Sequence, residues 1–323
     1  MTTTPPNTIA EAVISGLGKT PKRLPSWLFY DEHGDALFQR IMALPEYYLT
    51  DCEFEILRQQ SDQLYDIFQT KDRNVDLIEL GAGDGTKTEV LLRHLQDRGL
   101  PFTYRPTDVS GNILKHVKDR LSKNLPNLPV DPIQGIHRDV LPALSGPSEK
   151  RKVILFLGAS IGNYELENAR TFFQWVAGSL SGDDLFVVGF DLKKDPKLIK
   201  AAYDDPQGVT REFNLNLLRR LNRELGANFM LDQWDHYPLY DPESGEARSY
   251  LYSKKPQKVQ FELLDRSFDF DHAELIQTEI SQKYDQNMIK DLAGSADLEC
   301  IQTLFDCRHF FCLSVFRSLR TKD

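Results

Sequence analysis

The chain has few cysteines and no long apolar run, and both absences narrow what it does. The four cysteines are Cys52, Cys300, Cys307 and Cys312. None forms a C-x-x-C pair, and no Cys/His spacing resembles a zinc site, so reduced thiols are expected and no metal is indicated. No apolar stretch approaches the ~20 residues that span a bilayer. The start, MTTTPPNTIAEAV, lacks a basic region followed by an apolar one and does not read as a signal peptide. A cytoplasmic location is expected. Basic excess is missing too: the net charge is −9, which disfavours nucleic acid or an anionic membrane as partner. There is no internal repeat. Low complexity is confined to the Thr/Pro-rich first eight residues, which are expected to fray.

What is present is ordinary globular material, 323 residues with 41% hydrophobic and 27% charged. Ile9–Leu17 reads as a helix, and Leu37, Phe38, Ile41 and Met42 mark another that Pro45 ends. Thr50 with Glu53 fits a capping box opening a helix whose stripe is Phe54, Leu57, Leu64 and Phe68. The middle then alternates. Strands are expected at Val75–Leu80, Phe102–Asp108, Val153–Leu157 and Leu185–Phe190. Helices follow the first two, at Thr86–Leu95 and around Ile113–Leu121. Strands separated by helices imply parallel pairing in a doubly wound α/β sheet, where ligands sit beyond the carboxyl ends of the strands. From Leu192 to Lys283 the pattern changes to a meandering insertion with one long helix, Val209–Leu225, and strand-like segments around Trp234–Tyr240, Ala247–Ser253 and Lys258–Leu263. A helix near Asn287–Leu292 and a hairpin of Glu299–Phe305 with Phe310–Phe316 close the chain.

The sharpest local signal is Leu77-Ile78-Glu79-Leu80-Gly81-Ala82-Gly83-Asp84-Gly85-Thr86. A strand enters a glycine turn and a helix begins at once, so backbone N–H groups can approach a ligand closely. NAD is the rival reading, because Gly81, Gly83 and Gly85 imitate its fingerprint. Two features favour S-adenosylmethionine: the G-x-G-x-G spacing, and the acidic Glu79 before the loop, suited to a cofactor carrying a sulfonium and an amino group. Asp108, 27 positions after Gly81, ends the next strand and can accept from both ribose hydroxyls. Asp139 ends the β-like stretch His137–Val140 and can hold the adenine amino group. Taken singly, each Asp is equally a turn or cap residue. Lys87 lies in the first helical turn, unfavourably placed against the macrodipole. It either meets the cofactor carboxylate or is a solvated surface lysine.

At this point the chain resembles the histidine-specific methyltransferases of ergothioneine biosynthesis, which convert L-histidine to its Nα-trimethyl betaine, hercynine. The resemblance runs from about Leu24 to the C-terminus. It is carried by Trp27-Leu28-Phe29-Tyr30-Asp31, Leu44-Pro45-Glu46-Tyr47-Tyr48 and Phe156-Leu157-Gly158-Ala159-Ser160-Ile161-Gly162-Asn163. Ala202-Tyr203-Asp204-Asp205, Gly208-Val209-Thr210, Phe213-Asn214 and Thr278-Glu279-Ile280-Ser281 add to it. The resemblance implies a Rossmann-like class I methyltransferase core, residues 53–191 plus 284–323. It also implies a second α+β substrate-binding domain, residues 1–52 plus 192–283, with the substrate between the two. It places S-adenosylmethionine against Glu79, Gly81, Gly83, Lys87, Asp108, Asp139 and Val140. It places the amino-acid carboxylate near Asn163 and Tyr203, the α-amino group by Tyr47 with Tyr30 close by, and the imidazole on Glu279 and Ser281. Tyr30 and Tyr47 are thereby the catalytic pair, and the partner is a small-molecule amino acid.

These residue types suit that chemistry. Methyl transfer is an in-line displacement, so the protein mainly positions a neutral amine and excludes water. Tyrosine hydroxyls can accept from the amine, and aromatic faces favour the cation that forms. Asn163 and Tyr203 are neutral donors to a carboxylate. Glu279 selects histidine over phenylalanine, which would leave a carboxylate buried and unpaired. Read without the resemblance, Tyr47 and Tyr48 fit core aromatics, Asn163 a left-handed turn, and Glu279 with Ser281 one exposed polar strand face. One departure stands out: family members carry a methionine beside the imidazole, and the matching position here, within Arg248–Leu251, reads as Leu251. Another aromatic amino acid such as tryptophan, or a cofactor-binding protein that has lost catalysis, are the alternatives.

Overall fold

The structure is a computed structural model and describes residues 8–71, 73–145 and 149–320. The expected fraying falls mostly on residues 1–7, outside the described residues. Thr8 itself is ordered as an N-cap. Its hydroxyl accepts from Glu11 N and the Glu11 carboxylate accepts from Thr8 N, which opens the helix Ile9–Leu17.

The chain divides into two compact units, Met1–Tyr48 with Lys194–Gln282, and Leu49–Lys193 with Lys283–Asp323. The second unit holds a seven-stranded sheet. Its strands are β1 (Val75–Leu80), β2 (Phe102–Asp108), β3 (Ile133–Gln134), β4 (Arg151–Phe156), β5 (Leu185–Asp191), β6 (Leu298–Phe305) and β7 (Phe311–Ser318). Their order is β6-β7-β5-β4-β1-β2-β3, and β7 alone runs antiparallel to its two neighbours while β1 to β5 pair in parallel. β1, β4 and β5 are buried along their whole length, which is why they read as unbroken apolar runs rather than alternating ones. Aromatic rings fill one side of the sheet: Phe156, Phe172, Phe173, Phe186, Phe190 and Phe316 belong to one buried cluster. The α/β class and the Rossmann-like order of the core strands are therefore met. The crossover between β1 and β4 reverses direction here, and the switch point it creates is where ligands bind in such sheets.

The first unit has its own four-stranded sheet, in the order Lys22–Arg23, Leu275–Gln282, Glu246–Ser253, Trp234–Asp241. A separate hairpin joins Gln257–Phe261 to Arg266–Phe270. The helix Val209–Leu225 supplies the core with Phe213, Leu217, Leu218 and Leu221, all buried together with Leu28, Phe29 and Leu251. Both carboxylate oxygens of Asp205 accept from the first turn, at Val209 N and Thr210 N, and Gly226 ends the helix in the left-handed region.

Three local expectations are corrected. The stripe Phe54 to Phe68 is carried by two helices, Tyr48–Gln59 and Ser61–Phe68, because the chain leaves helical geometry at Gln60. The Thr50–Glu53 capping box does not form: the helix starts at Tyr48, both residues lie inside it, and the Glu53 carboxylate is used elsewhere. His137–Val140 is the start of a helix, His137–Ala143, and the preceding strand is only Ile133–Gln134. The insertion also contains a second helix, Pro196–Tyr203, short enough to escape a periodicity reading.

Candidate active site

In the second unit, the turn after β1 is built for backbone approach. Gly81, Gly83 and Gly85 all take positive φ (68°, 52° and 62°), a region costly for any side chain. Ala82 N donates to Thr107 O at 2.9 Å and Gly83 N to Asp108 Oδ2 at 3.3 Å, so the loop is laced to the end of β2. The other Asp108 oxygen accepts from Ser110 N at 2.9 Å. Asp108 is thus fixed at the carboxyl end of its strand, half-buried, with lone pairs still available for a diol. Val109, beside it, is 64% exposed, and Ile136, after the neighbouring strand, is 45% exposed. Two bare aliphatic side chains thus stand at the ends of the strands on either side of this carboxylate's turn.

Glu79 is not at the mouth of the loop. It is 4% exposed, inside β1, and accepts from Thr88 Oγ1 at 2.7 Å and from the Tyr104 hydroxyl. Burial raises its pKa to about 7 against the pull of those two donors. Lys87 does lie in the first turn of Thr86–Asp97, and its ammonium is paired with Glu53, which is fully buried. The solvated-surface reading of Lys87 is therefore set aside.

Asp139 and Val140 stand differently from expectation. Asp139 is exposed in the first helical turn rather than at a strand end, and Val140 is buried with a methyl 3.1 Å from where a Cβ on Gly135 would lie. The residue that does face the glycine loop is His137. Its Nε2 lies 3.7 Å from the position of a Cβ on Gly81, and its Nδ1 lies 3.5 Å from the Tyr164 hydroxyl. Its ring packs against Phe156 and Phe172, at 5.4 Å and 5.7 Å between centroids, and burial lowers its pKa despite Asp108. Asn163, exposed, ends the 3-10 turn Ser160–Asn163 that follows β4. Gly158 and Ala159 before it both have positive φ, 73° and 55°; the alanine is strained there, as turns at functional sites often are.

The first unit gathers most of the expected substrate residues. Tyr30 and Tyr47 stand edge-on to one ring, Phe38, with centroids 5.7 Å and 6.3 Å away. Tyr203, buried, closes the helix Pro196–Tyr203. Burial first, then the charges of Glu279, Asp35 and Tyr203, push the Tyr30 hydroxyl well above its ordinary pKa. That dependence puts Tyr30, Tyr203 and Glu279 in one electrostatic neighbourhood. Glu279 and Ser281 lie on Leu275–Gln282, where a bulge between Gln277 and Glu279 makes Thr278 the extra residue. The bulge sets Glu279 opposite Ser249 instead of Arg248. Ser249 Oγ donates to Glu279 Oε2 at 3.3 Å, and Thr278 Oγ1 bonds to Asn214 Oδ1 at 2.9 Å and to Ser249 O at 3.0 Å.

Leu251 is accordingly corrected as the pocket-side residue. It is fully buried in the apolar core, opposite Ile276 and His236, whereas the side chain beside Glu279 is that of Ser249. Three site residues escaped the sequence reading: Glu53, His137 and Ser249. Glu53 carried a signal that pointed to a capping box, His137 was read only as part of a strand, and Ser249 becomes visible only once the bulge fixes the register.

Known proteins complete the picture. The model of the family described as histidine-specific, S-adenosylmethionine-dependent methyltransferases matches residues 9–318. A histidine N-alpha-methyltransferase of Mycobacterium tuberculosis is 35% identical over 303 residues, 94% of this chain and 92% of its own. One from Mycolicibacterium smegmatis is 34% identical over 282 residues, 87% of this chain and 86% of its own. The Ergothioneine biosynthesis protein 1 of Schizosaccharomyces pombe is 31% identical over 285 residues; the match takes 86% of this chain but 37% of that protein. With a glycine loop, a fixed Asp108 and a family match along nearly all its length, the chain belongs to the histidine-specific, S-adenosylmethionine-dependent methyltransferases.

Proposed function

We propose that the protein methylates the α-amino nitrogen of L-histidine with S-adenosylmethionine, three times in succession, to give the trimethyl betaine. The observation that carries this reading is the grouping of Tyr30, Tyr203 and Glu279 in the first unit, with the Glu279 carboxylate beside the small, buried Ser249. A fixed acceptor next to a small residue suits a flat heterocycle bearing an N–H. In this reading Glu279 accepts from the imidazole and Ser281 serves its other nitrogen. Tyr203 donates to the substrate carboxylate.

When bound, the cofactor supplies a sulfonium methyl, whose carbon–sulfur bond breaks toward sulfur as the amine lone pair bonds to carbon. The Tyr30 hydroxyl has a raised pKa, which favours a neutral orienting group over a general base. It and Tyr47 orient the nitrogen as neutral groups, accepting from an amine N–H while the lone pair faces the methyl. Each amine proton leaves to water or buffer, three in all for an ammonium that ends as a quaternary nitrogen. Phe38 and the two tyrosine rings offer apolar, π-rich surface to the growing cation. The cofactor-side assignments are Gly81 and Gly83 by backbone approach, Asp108 to the ribose hydroxyls and Lys87 to the methionyl carboxylate. The adenine lies against Val109 and Ile136.

Steady-state kinetics of Glu279→Ala test the substrate half. The variant should raise KM for histidine by about 100-fold, the worth of a hydrogen bond to a charged group, with KM for S-adenosylmethionine nearly unchanged. Equal losses for both substrates would make Glu279 a structural residue and remove the basis for choosing histidine.

A further inference from the structure

Glu53 is a fully buried carboxylate to which neither the sequence motifs nor the reaction assigns a role. It sits in the helix Tyr48–Gln59, and each of its oxygens reaches a different functional segment of the same unit. Oε2 takes the Lys87 ammonium, in the helix that opens the glycine loop. Oε1 accepts from Gly158 N at 2.7 Å, at the strained turn after β4 that leads to Asn163. Gly189 of β5 leaves room for it: a Cβ there would lie 2.8 Å from Oε1 and 2.9 Å from the Phe311 ring. The same carboxylate lies close enough to Glu79 to disfavour its ionisation.

A buried carboxylate is costly unless it is paired and hydrogen-bonded, and this one is both. The Lys87 ammonium needs such a partner, since it stands at a helix N-terminus where the macrodipole repels it. Without Glu53 the lysine stem is free to swing toward solvent. We infer that Glu53 is a positioning residue that aims the Lys87 ammonium at the amino-acid end of the cofactor and pins the Gly158 turn at the same time. This rests on the reading of Lys87 as the contact for the methionyl carboxylate.

Two ligands separate aiming from mere structure. S-adenosylhomocysteine carries the amino-acid end, and 5′-methylthioadenosine keeps the adenosine and sulfur but lacks it. Binding of both is measured by calorimetry to the wild type, Glu53→Gln, Lys87→Met and the double variant. Glutamine keeps the shape and an acceptor for Gly158 N while removing the charge. Glu53→Gln and Lys87→Met should each weaken S-adenosylhomocysteine about tenfold and 5′-methylthioadenosine less than about twofold. The double variant should be no weaker than Lys87→Met alone. Glu53→Asp, which keeps the charge, should recover part of the loss. If Glu53→Gln leaves S-adenosylhomocysteine binding unchanged or tighter, weakens both ligands alike, or multiplies with Lys87→Met, the aiming role is wrong. An unaltered Lys87→Met would defeat the Lys87 assignment and this inference with it. A wild type that binds neither ligand would defeat the cofactor reading itself.

Discussion

Glu79 shows what a single buried acid does to the behaviour of the protein. Its folded pKa of about 7 lies above the ordinary value of 4.5, and burial is the main cause. A raised carboxyl favours the fold while it is protonated. Its contribution is complete below pH 4.5 and is lost as the pH climbs through 7. The shift corresponds to roughly 3 kcal/mol. Glu79→Gln removes this dependence. In chemical denaturation of the ligand-free protein, the variant should gain on the wild type by up to about that amount between pH 4.5 and 8. A stability difference that stays flat across that range would show that folding does not raise the Glu79 pKa. The same residue illustrates how a sequence misleads. An acid before a glycine loop reads as a ligand group, yet its oxygens are committed to Thr88 and Tyr104. Sequence position names the strand end but not which way a carboxylate turns.

Among the elements, the bulge at Thr278 carries the most consequence. It shifts the register by one, puts Glu279 across from Ser249, and is held by one hydroxyl bonded to Asn214 and to the Ser249 carbonyl. Thr278→Val keeps the shape and deletes that hydroxyl. It should lower stability by about 1–3 kcal/mol, read as a fall in the urea midpoint at constant slope, and raise KM for histidine. A variant as stable as the wild type would mean that the bulge needs no such anchor. Most elements of this kind are legible in the sequence. Val75–Leu80, Phe102–Asp108 and Val209–Leu225 coincide with the expected segments, because a short apolar run bounded by turn residues marks a buried strand and a 3.6-residue apolar period marks an amphipathic helix. What escaped was short or non-local. Ile133–Gln134 has only two residues, Pro196–Tyr203 only eight, and a bulge has no sequence mark of its own. Asp139 does not end a strand for this reason: the strand before it has two residues, and a helix begins at His137.

At the scale of the whole molecule, the residues divide by task. Gly81, Gly83, Lys87, Asp108 and Glu53 belong to the unit with the seven-stranded sheet. Tyr30, Tyr47, Tyr203, Glu279 and Ser281 belong to the unit built on the four-stranded one. Each unit has its own buried core. If the proposed assignments hold, Glu279→Ala and Lys87→Met lie in separately packed cores, and each should leave the affinity for the other ligand largely intact. All four cysteines are free thiols, and among the described residues no helix is long and apolar enough to cross a membrane.

If the α-amine of histidine is the methyl acceptor, product masses will reveal it. The purified protein is incubated with S-adenosylmethionine and each of the twenty amino acids in turn, and products are read by mass spectrometry. Histidine should gain one, two and finally three methyl groups on its α-nitrogen, with tryptophan and phenylalanine far behind. Turnover of another amino acid in preference to histidine, or methyl groups on the imidazole ring, would contradict the account.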